Sequence, residues 1–189
     1  MAITKLVSDS LGAGVGGSLV KLINTTTTDA TTEFITFDST YINSTYDNYF
    51  ITFKVKPVND DQDIRIQFST SGTFNTGASD YGVGLATEGT SLNDNDFDKI
   101  AINSYTSDGI GNASGEGASG HCYLYNPADA NQITAFSSMI NFRNFNGFHG
   151  MATGGGVRNS AEANDGIRFY WGSGNFASGS SITLYGVNT

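Results

Sequence analysis

The chain has 189 residues, of which 38% are hydrophobic and only 14% charged, with 24 glycines. That is the length of one domain, and 12% aromatic content with so little charge excludes intrinsic disorder. The net charge of −9 opposes a phosphate backbone, so nucleic acid is not an expected partner, and a single cysteine, Cys122, excludes a disulfide framework.

Residues 1–18 stand apart from the rest. Ile3, Leu6, Val7 and Leu11 fall on one helical face, and Gly12, Gly14, Gly16 and Gly17 then stop any helix. The stretch has no aromatic residue and shows no charged-then-apolar leader pattern. It is expected to be an assembly arm that docks on a partner, with those four apolar residues as its contacts. Residues 19–189 are expected to form the folded domain.

Short strands follow, between polar turns. Leu19–Ile23 and Glu33–Phe37 are the first two. In Asn48–Val58, Tyr49, Ile51, Phe53 and Val55 share one face, and Phe50, Thr52, Lys54 and Lys56 share the other. Pro57 weakens its end. Ile64, Ile66 and Phe68 alternate in the next strand, and the acidic turn between the two predicts a hairpin. Strands are expected at Tyr81–Thr87 and Lys99–Thr106, with an acidic loop at Asn93–Asp98 between them. Gly109–Gly120 reads as a long surface loop. His121–Tyr125, Gln132–Phe142, Phe148–Met151, Gly166–Trp171 and Ser180–Val187 complete the set, with Asn144–Gly147 as a turn. No run is apolar enough to cross a membrane as a helix, so membrane insertion is not expected. The period of two and the near-absence of helix predict an all-β fold. It is expected to be an antiparallel, jelly-roll-like β-sandwich of about eight to ten strands.

Chemistry-bearing patterns are sparse. Asp94, Asp96 and Asp98 begin a D-x-D-x-D run like that of a calcium loop, in which alternate oxygens converge on the ion. The pattern then fails: Lys99 replaces the sharp-turn glycine and Tyr105 the bidentate glutamate. No metal is therefore assigned, and these three aspartates stand as a calcium candidate; the Asp60, Asp61 and Asp63 cluster lies in a turn, where aspartate is favoured for local hydrogen bonding. Neither His121 nor His149 lies beside a nucleophile-elbow serine, and the four glutamates show no pairing. No catalytic residue and no cofactor are expected. Aromatic residues near turns suit a binding surface, because their rings offer area at little entropic cost. Tyr170 and Trp171 are the candidate ligand-binding aromatics.

Several strings resemble virion structural proteins of marine phages and cyanophages. They are the opening Met1–Leu11, Phe50–Val58 with Ile64–Thr70, Ser119–Pro127, and above all the closing Ile167–Val187. The last follows the pattern I-R-F … S-G-N-(I/F)-x-S-G-x-(I/F)-x-L-Y-G. The resemblance implies a non-enzymatic protein of the particle surface, either a capsid decoration or head fibre or a small tail fibre. It implies a homotrimer whose further partners are capsid or tail proteins. A lectin-like module that binds a host surface glycan is the alternative.

Overall fold

The computed structural model describes residues 18–87, 90–103 and 109–188. Among them are thirteen strands and no helix. In chain order these are β1 (Leu19–Thr26), β2 (Phe34–Phe37), β3 (Asn48–Val55), β4 (Ile64–Thr70), β5 (Thr73–Phe74), β6 (Tyr81–Thr87) and β7 (Thr90–Phe97). Then come β8 (Ile100–Ala101), β9 (Gly117–Tyr125), β10 (Ile133–Arg143), β11 (His149–Ala161), β12 (Gly166–Trp171) and β13 (Ser181–Val187).

The strands form two antiparallel sheets. One has eight strands in the order β1-β13-β3-β9-β10-β11-β6-β7. The other runs β2-β12-β4-β5, with β8 also on β4. Successive strands β1 to β4 alternate between the sheets, and β12 and β13 do so again. The core is built from the inward residues of both. Tyr49, Ile51, Cys122, Leu124, Ile182 and Leu184 come from the larger sheet, and Ile35, Phe37, Ile64, Ile66, Phe68, Ile167 and Phe169 from the smaller. Each strand places alternate side chains on one face, so the apolar residues at period two bury together.

The expected hairpin between β3 and β4 does not form. β3 is paired on both sides by β13 and β9, and β4 by β12 on one side and by β5 and β8 on the other. As a hairpin, the apolar faces of β3 and β4 would lie side by side and uncovered; in two sheets both are buried. The connection carries the chain across the edge. Pro57 bridges to Phe176, Ser180 Oγ accepts Lys56 N at 3.1 Å, and Asp61 takes a φ of 57°.

Four further expectations are corrected. Asn93–Phe97 belongs to β7 and is not a loop, because the segment pairs along β6. β11 extends to Ala161, ten residues beyond Met151, so Gly154–Gly156 lies inside a strand paired on both sides. The loop before β9 ends at Glu116, and its Ile110 is buried in the core. Of the Lys99–Thr106 strand only Ile100–Ala101 is present, and residues 104–108 lie outside the described residues.

Candidate functional site

The outer face of the eight-stranded sheet carries an unusual row of side chains. In β3 the alternation that buries Tyr49, Ile51 and Phe53 turns Phe50, Thr52 and Lys54 outward. In β9 it buries Cys122 and Leu124 and turns out His121, Tyr123 and Tyr125. In β13 it buries Ile182 and Leu184 and turns out Thr183 and Tyr185.

Register brings the rings together. Tyr185 lies opposite Phe50, and Phe50 opposite Tyr123. The Phe50 centroid is 4.8 Å from Tyr123, 5.7 Å from His121 and 6.1 Å from Tyr185. Tyr123 and Tyr125 stack along one strand at 6.0 Å with rings 16° apart. The Tyr125 hydroxyl is 3.2 Å from Ser137 Oγ. Such cross-strand aromatic contacts are worth roughly 0.2–1 kcal/mol each to the sheet. They also leave apolar area in water: Tyr123 is 37% exposed, and Met139 and Met151 extend the patch across β10 and β11, Met151 at 52%. Scattered exposed apolar residues are ordinary, but a contiguous patch marks a contact surface. The surface can stack on a flat apolar partner. It contains no carboxylate beside the histidine, and the one thiol behind it is buried, which pushes the Cys122 pKa well up and keeps it a neutral core residue.

The residues singled out from sequence fall elsewhere. Trp171 is corrected from platform to core: it is 2% exposed and packs on Phe176 at 5.4 Å. It shares the inward phase of β12 with Ile167 and Phe169, which the sandwich must bury. Tyr170 points the other way, out of the five-stranded sheet, where it is half-buried beside Phe34 at 5.8 Å. Burial pushes its phenol up to about 12. The rings around it are already occupied. The Arg168 guanidinium lies 4.3 Å from the Phe74 centroid, 4.6 Å from Phe34 and 5.5 Å from Tyr170. Its Nε and Nη2 donate to Gln67 Oε1 at 3.0 and 2.5 Å. This is a cation–π cage filled by the chain's own cation, so it offers no ligand site.

The calcium candidate does not form a loop. Asp94 is exposed within β7, opposite Val83, and Asp98 follows the strand, its carboxylate contacting the Lys99 ammonium. Four extended residues span roughly 13 Å, too far for both ends to reach one cation. The Asp96 side chain lies outside the described residues. Among the described residues no three His, Cys, Asp or Glu groups converge as metal ligands. The arm residues Ile3, Leu6, Val7 and Leu11 also lie outside the described residues. Description begins at Ser18, whose carbonyl accepts Asn188 N at 2.9 Å.

Phe50, His121, Tyr123, Tyr125 and Tyr185 were not singled out from sequence as site residues. The available signal was aromatic residues in the polar phase of strands whose other phase is already fully apolar. No family model matches the chain, and no curated protein matches it.

Proposed function

We propose that the chain is a non-catalytic structural protein of a phage particle, displayed on its surface as a capsid decoration, head fibre or small tail fibre. It assembles as a homotrimer through the outer face of its large sheet and docks through residues 1–18. The observation that carries this reading is the aromatic row Tyr185–Phe50–Tyr123–Tyr125, an uncharged contact surface held on a rigid sheet. The strand order supports a jelly roll: β1-β13-β3-β9 faces β2-β12-β4-β5, with β10, β11, β6 and β7 widening the first sheet. The start of β1 supports the docking arm. Leu19, 45% exposed, opens β1, an edge strand of the large sheet among the described residues, and pairs with Val187. The closing-strand resemblance to phage virion proteins adds to these points.

The test is immunogold labelling and proteomics of purified particles encoded by the same genome as the chain. The expected result is regular gold on heads or tails and recovery of the chain at many copies per particle. Its absence from particles made while the chain is expressed would overturn the proposal.

The stacked Tyr123–Tyr125 pair favours a second reading, a lectin-like module in which the rings bind a sugar face. Loss of glycan binding in Tyr123→Ala/Tyr125→Ala without change of oligomeric mass would decide for it.

A further inference from the structure

In this acidic chain the cations are distributed unevenly. There are 9 Lys and Arg against 18 Asp and Glu, so most cations should find a carboxylate. Arg65, Lys99 and Arg158 do so, and Arg168 sits in its aromatic cage. Lys21, Lys54, Lys56 and Arg143 do not: among the described residues, none has a carboxylate within 4.0 Å. The last three line one open groove of about 700 Å³ at the end of β3, β9, β10 and β11, together with His149.

The groove has a single carboxylate, Glu116, which forms no ion pair with these cations. Its Oε2 accepts Ala113 N at 2.6 Å. Lys56 Nζ donates to Ala113 O at 2.8 Å, and Arg143 Nε to Gly147 O at 2.7 Å. These bonds hold the charged heads on neutral carbonyl oxygens, with no carboxylate within 4.0 Å of either among the described residues. The remaining lining is hydroxyl and amide, from Ser119 and Asn141 on the strands and Ser180 beside them. Lys54, Ser119 and Asn141 lie in one register row, two residues along from the row of Thr52, His121 and Met139 that borders the aromatic surface.

We infer that this groove binds an anionic saccharide, of the class that carries one carboxylate per sugar. Clustered, unneutralised cations in a chain of net charge −9 focus an attractive field at one place, while the rest of the surface repels anions. A nucleic acid and a polyuronate both carry one charge per repeat, so what lies between the charges separates them. A polyuronate carries hydroxyls there, which match the serine and asparagine lining, whereas a nucleic acid carries bases, for which a hydroxyl and amide lining is no stacking platform. The inference stands on residues other than the self-associating rings, so either can fail alone.

The experiment is calorimetric titration of the full chain with alginate oligosaccharides at low salt. Size-matched neutral dextran and single-stranded DNA serve as comparisons. Alginate should bind, dextran should not, and DNA should bind more weakly. Lys54→Gln/Arg143→Gln should weaken alginate about tenfold or more, since charge-assisted hydrogen bonds are the strong ones. Lys21→Gln, which removes an equal charge from exposed β1, should leave affinity unchanged. Far-ultraviolet circular dichroism and an unchanged oligomeric mass establish that the double variant is folded, and Lys54→Glu in the intact groove gives an independent reading. No alginate binding, affinity unchanged in both groove variants, or tighter binding of DNA than of alginate overturns the inference.

Discussion

Tyr170 and Trp171 are adjacent in sequence and opposite in fate, because the strand phase that buries Ile167 and Phe169 also takes Trp171. Trp171→Ala should cost about 3–5 kcal/mol in urea unfolding, as expected for a large buried aromatic ring. Trp171→Phe should cost much less, since the indole Nε1 has no hydrogen-bond partner to lose. Equal losses in the two variants would contradict the packing described for this ring. Asp63 offers a pH test. Burial holds its carboxyl above the ordinary 3.8, against the opposing pull of Arg65 and of the Asn103 amide. A carboxyl that takes its proton more readily folded than unfolded stabilises the fold below the unfolded pKa, and that contribution is lost as pH rises through the folded value. Asp63→Asn keeps an oxygen acceptor for Asn103 Nδ2 and removes the titration. The stability difference should therefore move in the variant's favour as pH rises from about 3.8 through the acid range. A difference that is flat, or that moves the other way, contradicts the burial argument. At this scale the inward residues were legible, because Tyr49, Ile51, Phe53 and Val55 announce their phase by alternation. The outward rings were not, since Phe50 among Thr52 and Lys54 looks like an isolated exception until register sets it beside Tyr123 and Tyr185.

Between elements, the corner where β6 meets β11 is fastened by a charged latch. Arg158 on β11 is 6% exposed, and its Nη1 donates to Asp80 Oδ1 at 2.9 Å and to Asp80 O at 2.8 Å. Nη2 lies 2.6 Å from Glu162 Oε1, and the guanidinium is 5.8 Å from the Tyr81 ring. Arg158→Ala would leave two carboxylates without their partner. With both partly open to water, the expected loss is about 2 kcal/mol, below that of a fully buried pair. Amide exchange should accelerate in β6 and β11 and stay unchanged in β3 and β13; uniform acceleration would show that the latch is not local. The turn before β11 is set by Gly147, at φ +80°, and by Asn144 Oδ1, which accepts Asn146 N at 3.1 Å and Phe148 N at 2.8 Å. That Asn–Gly signal was readable from sequence. Strand positions were readable too: Tyr81–Thr87 and Gly166–Trp171 match β6 and β12 residue for residue. Partnership was not. Local alternation says that a strand has a buried face and is silent on which strand lies beside it, so β3 and β4 looked like a hairpin although they belong to different sheets. The groove was hidden for the same reason. Lys54 is far in sequence from Arg143 and His149 and meets them only through the pairing of β3, β9 and β10. Gly186 makes room for the Tyr46 ring, whose carbons stand 2.6 Å from where a Cβ would be, a fit that only the folded chain reveals.

At the scale of the whole molecule, the large sheet is the scaffold and, in the function proposed, the contact surface. Eight strands spaced about 4.8 Å apart, from 7 residues long in β6 and β13 to 13 in β11, present an outer face of roughly 34 by 30 Å. That is on the order of 1,000 Å², enough for the roughly 800 Å² that each partner contributes to a standard stable interface. The aromatic row, Met139 and Met151 supply the apolar centre such an interface needs, and the charged groups sit at its rim. In the proposed homotrimer each chain would set this face against a second surface of its neighbour, a head-to-tail contact that closes as a ring. The net charge of −9 opposes indiscriminate aggregation of the same face. The most direct test is the light-scattering mass of the purified chain beside Phe50→Ser/Tyr123→Ser, which removes the centre of the row and leaves the buried core untouched. From a chain mass of 20.0 kDa, the account predicts three chains per particle for the parent and one for the variant, with the fold retained by circular dichroism. A parent that runs as a single chain, or a folded variant that keeps the parent's mass, would contradict it.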